Sequence, residues 1–264
     1  MLLTLSTGSF RKQIERGPGG DGMSLLDLPR IAIEQLQLHG LNIPASMLAG
    51  WSVDDLDRLR DSADKVGCPC LVLIEDTPRP FSDADQSVRQ EAADRVERLA
   101  AAANRLGCNS LALKIEGPNS EEHFDRAAET LKGLMTGIER MELNLLLAPG
   151  ADLTHDPDQL INMIKRIGGF RIGSLPEFGH AESTGDAIEA LRKLAPYAGA
   201  IQATIQGFKK DGSHSGCDLA ACIDTIRHVG FVNTLAIDYV GKGDPFEAVE
   251  KARQILQEAI EADE

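Results

Sequence analysis

Aromatic residues are scarce: one Trp, two Tyr and eight Phe, 4% of 264 residues. Any core must therefore rest on aliphatic side chains, and a hydrophobic content of 42% is enough for a large one. Positive charge is also in short supply, with 27 Lys plus Arg against 41 Asp plus Glu and a formal net charge of −14. Such a surface repels a phosphate backbone and argues against a general nucleic-acid partner. Paired cysteine motifs are missing. Cys68, Cys70, Cys108, Cys217 and Cys222 are odd in number and include no C-x-x-C, which fits neither a disulfide framework nor a structural zinc site. Free buried thiols in a reducing cytoplasm are the expectation. No apolar run reaches the ~20 residues of a membrane span, and the first residues lack the basic-then-apolar pattern of a secretion signal. A soluble, cytoplasmic protein acting on small molecules is expected, without nucleic-acid or membrane partners. Its oligomeric state, a homodimer included, is left open.

What is present is an alternation of short apolar strands and longer amphipathic helices. The expected strands are Leu2–Ser6, Gly40–Pro44, Cys70–Glu75, Ser110–Ile115, Leu143–Ala148, Phe170–Leu175, Ala198–Ile205 and Thr234–Tyr239. Between them, Ala84–Leu106 places Val88, Ala92, Val96, Leu99, Ala103 and Leu106 on one stripe at helical spacing, and Gly107 follows as a stop. A last helix from about Pro245 carries Phe246, Val249, Ala252, Leu256 and Ile260, with Asp244-Pro245 as its start signal. No linker or composition shift divides residues 1–264, so one domain is expected. Eight βα units of this length predict an α/β fold, a (β/α)8 TIM barrel. The longer loops after strands are Thr7–Gly22, Asp76–Asp83 and Gln206–Gly216, and the Gly/Arg/Lys-rich segment 11–22 is expected to be mobile without ligand.

In such barrels chemistry sits at the C-terminal ends of strands. Polar groups recur there: Glu75-Asp76, Lys114 and Glu116, Glu177 and His180, then Gln202, Thr204 and Gln206 on one face by alternation, and Asp238. Strand five instead ends Leu147-Ala148-Pro149-Gly150, with no ligand. Glu177 with His180 reads either as a substrate-facing pair or as a carboxylate that orients an imidazole. Lys114 reads either as a cation inside the rim or as half of a structural salt bridge. His155, just after strand five, is within reach of the rim. His39, His123, His214 and His228 lack partners at ligand spacing. Asp211-Gly212-Ser213-His214-Ser215-Gly216 and Gly241-Lys242-Gly243 offer backbone N–H groups of the kind that hold phosphate, although glycine also simply turns a chain.

Gly173-Ser174-Leu175-Pro176-Glu177-Phe178-Gly179-His180 resembles a strand end of the xylose isomerase-like TIM barrels. That group holds sugar phosphate isomerases and epimerases and the family 2 AP endonucleases. Val229–Tyr239, ending Leu235-Ala236-Ile237-Asp238-Tyr239, is similar to the family's last strand. The resemblance spans nearly the whole chain. It implies a divalent metal held by Glu, Asp, His and Glu from strands five to eight, with both glutamates moving a proton at the carbon beside a carbonyl. This chain has Ala148, Glu177, Gln202 and Asp238 at those places, and His180 at a substrate-contacting histidine. Ala148 supplies neither ligand nor base, and Gln202 is a weak donor beside imidazole. Mg, Mn or Zn is therefore expected to be absent or weakly held, by Glu177, Asp238 and Gln202.

Two functions follow from the resemblance. One is an isomerase or epimerase acting on a small carbohydrate or keto-acid, with Glu177, Asp238 and Lys114 catalytic and His180, Glu75, Gln202 and His155 contacting substrate. The other is a non-catalytic sugar-binding or regulatory barrel. Phosphodiester cleavage of the AP endonuclease kind fits poorly, since it uses several His, Asp and Glu around multiple metals.

Overall fold

The computed structural model describes residues 1–14 and 22–262. Its strands are β1 (Leu2–Ser6), β2 (Leu41–Pro44), β3 (Cys70–Arg79), β4 (Ser110–Ile115), β5 (Asn144–Leu147), β6 (Ile172–Ser174), β7 (Ala200–Ile205) and β8 (Thr234–Tyr239). The helices are α1 (Arg11–Ile14), α2 (Leu28–Glu34), α3 (Val53–Val66), α4 (Gln86–Leu106), α5 (Glu121–Arg140), α6 (Pro157–Ile167), α7 (Phe178–Ser183), α8 (Ala187–Leu194), α9 (Leu219–His228) and α10 (Pro245–Glu261). All strand pairs are parallel, in the order β6-β5-β4-β3-β2-β1-β8-β7. Bridges Ser174↔Ala198 and Glu177↔Gln202 join β6 to β7, and Gln202 N donates to Pro176 O at 2.9 Å. The eight strands thus curl into a (β/α)8 TIM barrel. Among the described residues, no helix is long and apolar enough to cross a membrane.

Capping explains where several helices begin. Asp244 Oδ1 accepts from Phe246 N at 2.7 Å and Glu247 N at 3.3 Å, with Pro245 in the first turn as expected. Asp85, Asp156, Asp186 and Asp218 cap α4, α6, α8 and α9 in the same way, so part of the acidic excess ends helices. Gly107 closes α4 at φ 79°, a left-handed conformation that costs glycine little.

Strand alternation divides the core in two. Leu3, Leu5, Leu73, Leu111, Leu113 and Leu145 face the helices in the larger cluster. Val72, Ile74, Ala112, Leu146, Ala148, Leu175 and Ala200 form a smaller cluster inside the barrel. A Cβ at Gly173 would lie 2.6 Å from Tyr197 O, and one at Gly199 the same distance from Leu146 Cδ2. Both glycines therefore let β6 and β7 close around Leu146.

Most boundaries fall within two residues of expectation, and three differences are larger or bear on the site. β3 continues to Arg79 through pairing with Ile115, so the first half of the expected loop 76–83 is strand. β6 begins only at Ile172, because Gly168 and Gly169 turn at φ 71° and 110° and leave Phe170 fully exposed. The loop after β1 begins as a 3-10 turn and α1; its residues 15–21, most of the segment expected to be mobile, lie outside the described residues.

Candidate active site

The same alternation that buries the small cluster lifts polar residues of β1, β3, β4, β7 and β8 above it. Ser6 on β1, Ile74 and Asp76 on β3, Lys114 on β4, Gln202 and Thr204 on β7 and Asp238 on β8 all face inward. Glu177, just beyond β6, joins them. These residues line a cavity of about 430 Å³ at the C-terminal end of the strands. Gly8 also lines it, where a Cβ would lie 3.3 Å from both Pro44 Cγ and Ser6 Oγ.

Lys114 Nζ donates to Glu177 Oε2 at 2.9 Å, with 25% and 18% of the two side chains exposed. Burial pushes the Glu177 carboxyl above the usual range, the Lys114 charge pulls it back, and Asp238 adds repulsion; the net direction is up. Asp238 is also raised by burial, opposed by the Ser6 hydroxyl and by the charges of Lys114 and Arg11. Two of the three carboxyl groups that line the cavity are thus better able to hold a proton than a solvated acid.

At the mouth, Arg11 donates to Asp76 Oδ2 at 3.0 Å and to Ser46 Oγ at 2.7 Å. Ser46 N and Oγ both donate to Asp76, at 3.0 and 2.5 Å. Burial alone would raise Asp76, but the Ser46 bonds outweigh it and hold the carboxyl low. Arg11 and Ser6 escaped the sequence reading, since neither sits in a recognisable motif. The signal for Asp76 was its even spacing from Ile74.

Glu75 lies outside the cavity. Odd spacing turns it toward α4, where its carboxylate, 2% exposed, meets Arg79 at 3.0 Å and Arg95 at 2.8 Å. From that position it does not line the cavity in which a substrate contact was expected of it. His155 and His180 lie together, ring centroids 4.9 Å apart and edge to face, but neither lines the cavity. Both ring nitrogens of His180 are buried without a hydrogen-bond partner. Burial, helped by His155 and Lys114, depresses its pKa to about 4, so the imidazole is neutral. Gln202 and Lys114 line the cavity with Glu177 and Asp238. Of the two glycine loops, Gly241 and Gly243 reach the cavity wall, whereas His214 in the other turns inward to accept from Gln206 N at 3.1 Å.

The family model for xylose isomerase-like TIM barrels matches residues 32–261. The chain belongs to this family. No curated protein sequence matches it significantly. Among solved structures, an L-ribulose 3-epimerase superposes with TM-score 0.83 at 16% identity, over 99% of this chain and 95% of that one. A 3-keto-D-glucoside 4-epimerase from E. coli gives 0.75 at 14% identity, over 97% and 99%. The IolI protein with a bound zinc atom gives 0.77 at 15%, over 99% of each chain. At these identities the likeness is one of fold.

The side chains present fit a divalent ion poorly. Ala148, fully buried in the interior apolar cluster, presents a methyl group where the family resemblance implies a glutamate. The Glu177 carboxylate is already bonded to an ammonium. Among the described residues, no group of three or more His, Cys, Asp or Glu is arranged to hold a metal. What this arrangement does supply is an internal cation bonded to one carboxyl group, with two more carboxyl groups in the same lining.

Proposed function

We propose that the cavity moves a proton at the carbon beside the carbonyl of a small carbohydrate or keto-acid, as an isomerase or epimerase with a degenerate metal site. The observation that carries this reading is the Lys114–Glu177 contact at 2.9 Å in a cavity that Asp238 also lines. Enolisation needs a base near the acidic C–H and positive charge near the carbonyl oxygen. In this reading Glu177 and Asp238 exchange the proton, and Lys114 offers its charge to the developing oxyanion. Gln202, with Thr204 beside it, takes substrate hydroxyls. His180 and His155 come into contact only if the pair opens toward the cavity. The raised carboxyls support the acid–base role, because a group must hold and release its proton near the working pH.

The reading is tested by incubating the protein with a panel of small aldoses, ketoses and keto-acids in D₂O and following deuterium at each carbon by NMR. Label beside a carbonyl is the expected result. Binding without label anywhere in the panel would favour the second reading, a barrel that binds sugar without catalysis. Ala148 is the observation behind that alternative, since a methyl group there removes one ligand and one base together.

A further inference from the structure

Lysine is seldom buried unless paired, because removing an ammonium from water is costly. Lys114 is paired only in part. Its ammonium has three N–H donors, and among the described residues it makes one hydrogen bond, to Glu177. Glu75 shows what a closed structural cluster looks like in this fold: one carboxylate between two guanidinium groups, turned away from the cavity. Lys114 instead reaches the cavity from near the end of β4, two residues beyond Ala112 of the interior cluster, with the carboxyl groups of Asp76, Glu177 and Asp238 in the same lining.

We infer that Lys114 is a covalent nucleophile, whose free amine condenses with the carbonyl carbon of a small aldose, ketose or keto-acid to form an imine that then serves as the electron sink. The substrate class rests on the proposed function; the covalent step does not. Glu177, at hydrogen-bond distance, takes the ammonium proton and frees the nitrogen lone pair. The N–C bond forms as the carbonyl π electrons move to oxygen, which takes a proton from the now cationic nitrogen to give a neutral carbinolamine with the nitrogen lone pair restored. That hydroxyl then leaves as water, its proton supplied by a carboxyl group, while the nitrogen lone pair closes the C=N bond. Lysine ammonium and carbonyl compound have become protonated imine and water, with no oxidant or reductant consumed. An iminium withdraws electrons from the adjacent C–H more strongly than a hydrogen bond does. Asp238 is the base left to take that proton, and hydrolysis returns the lysine. The two raised carboxyl groups suit a sequence that needs one acid and one base by turns.

The test is reductive trapping. The protein is incubated with dihydroxyacetone, and separately with pyruvate, in the presence of sodium cyanoborohydride, then digested and mapped by mass spectrometry. The expected result is a saturable adduct on the Lys114 peptide, absent from Lys114→Arg and formed at least tenfold more slowly in Glu177→Gln, with surface-lysine labelling unchanged. Should Lys114→Arg fail to fold, the peptide map and the Glu177→Gln rate decide alone. Labelling of Lys114 no faster than that of exposed lysines, with both probes, overturns the inference. Deuterium wash-in without an adduct would leave the proposed function standing and remove this step. An adduct without wash-in on any carbonyl compound would do the reverse.

Discussion

Glu75 within β3 and Glu177 just past β6 are both shielded from solvent and both ion-paired, yet they sit in opposite environments. Glu75 faces the helices and is closed by Arg79 and Arg95. Glu177 faces the cavity, holds one ammonium and shares its surroundings with a second carboxyl group. The first arrangement leaves little for a ligand to do; the second leaves donors and a proton-holding acid open to one. The difference comes from strand parity, with Ile74 and Asp76 inward and Glu75 outward.

The largest stability change should follow from breaking the closed cluster. Glu75→Gln leaves two guanidinium groups around a neutral amide and should cost about 3 kcal/mol, a Tm drop on the order of 10 °C by calorimetry. An unchanged Tm would mean that Glu75 does not hold α4 to β3.

The open cluster should respond to metal ligands instead. Ala148→Glu combined with Gln202→His restores two donors, and Mn²⁺ affinity by titration calorimetry should rise at least tenfold, about 1.4 kcal/mol. Adding Lys114→Met, which removes the competing internal cation, should raise it further. No gain in either variant would show that the cavity has moved away from the family's ligand geometry.

A smaller effect concerns pH. The His180 imidazole, depressed to about 4 from 6.5, binds its proton less well folded than unfolded. Its neutral burial is therefore harmless above the unfolded value, and stability is lost as pH falls from 6.5 toward 4. The raised carboxyls of Glu177 and Asp238 act in the opposite sense, since the folded state holds their protons better as pH falls. His180→Gln should therefore flatten the acid limb of a urea-midpoint series. An identical slope in wild type and variant would contradict the assignment.

The smallest expected change tests the thiols. Cys217 is pulled down to about 6 by a hydrogen bond with Cys222, with His214 alongside, whereas burial pushes Cys68 and Cys70 up to about 12. Iodoacetamide at neutral pH should modify Cys217 first, with little effect on the fold. Equal labelling of all five cysteines would contradict this contrast.

The barrel was legible because its signals are periodic. Runs such as Leu111-Ala112-Leu113 and the Asp-Pro start of α10 specify elements locally, and eight repetitions specify the closure. The site was legible only in part. Lys114, Glu177, Gln202 and Asp238 were reached through strand ends and converge on one cavity. Glu75 lies outside the cavity lining although the sequence shows two adjacent carboxylates there, and only the inward register of β3 separates Asp76 from its neighbour. Arg11 was invisible for another reason. It reaches Asp76 across 65 positions of sequence, a pairing that no local pattern encodes.

The most direct measurement compares the two carboxylates on one scale: deuterium wash-in by wild type, Glu75→Gln and Glu177→Gln on whichever carbonyl compound the wild type labels. Glu177→Gln should lower the rate about 10²- to 10⁴-fold, as loss of a general acid–base does, while Glu75→Gln at a temperature where it stays folded should leave it within a few-fold. Equal losses in both variants, or none in Glu177→Gln, would contradict a catalytic role for the carboxylate that faces the cavity.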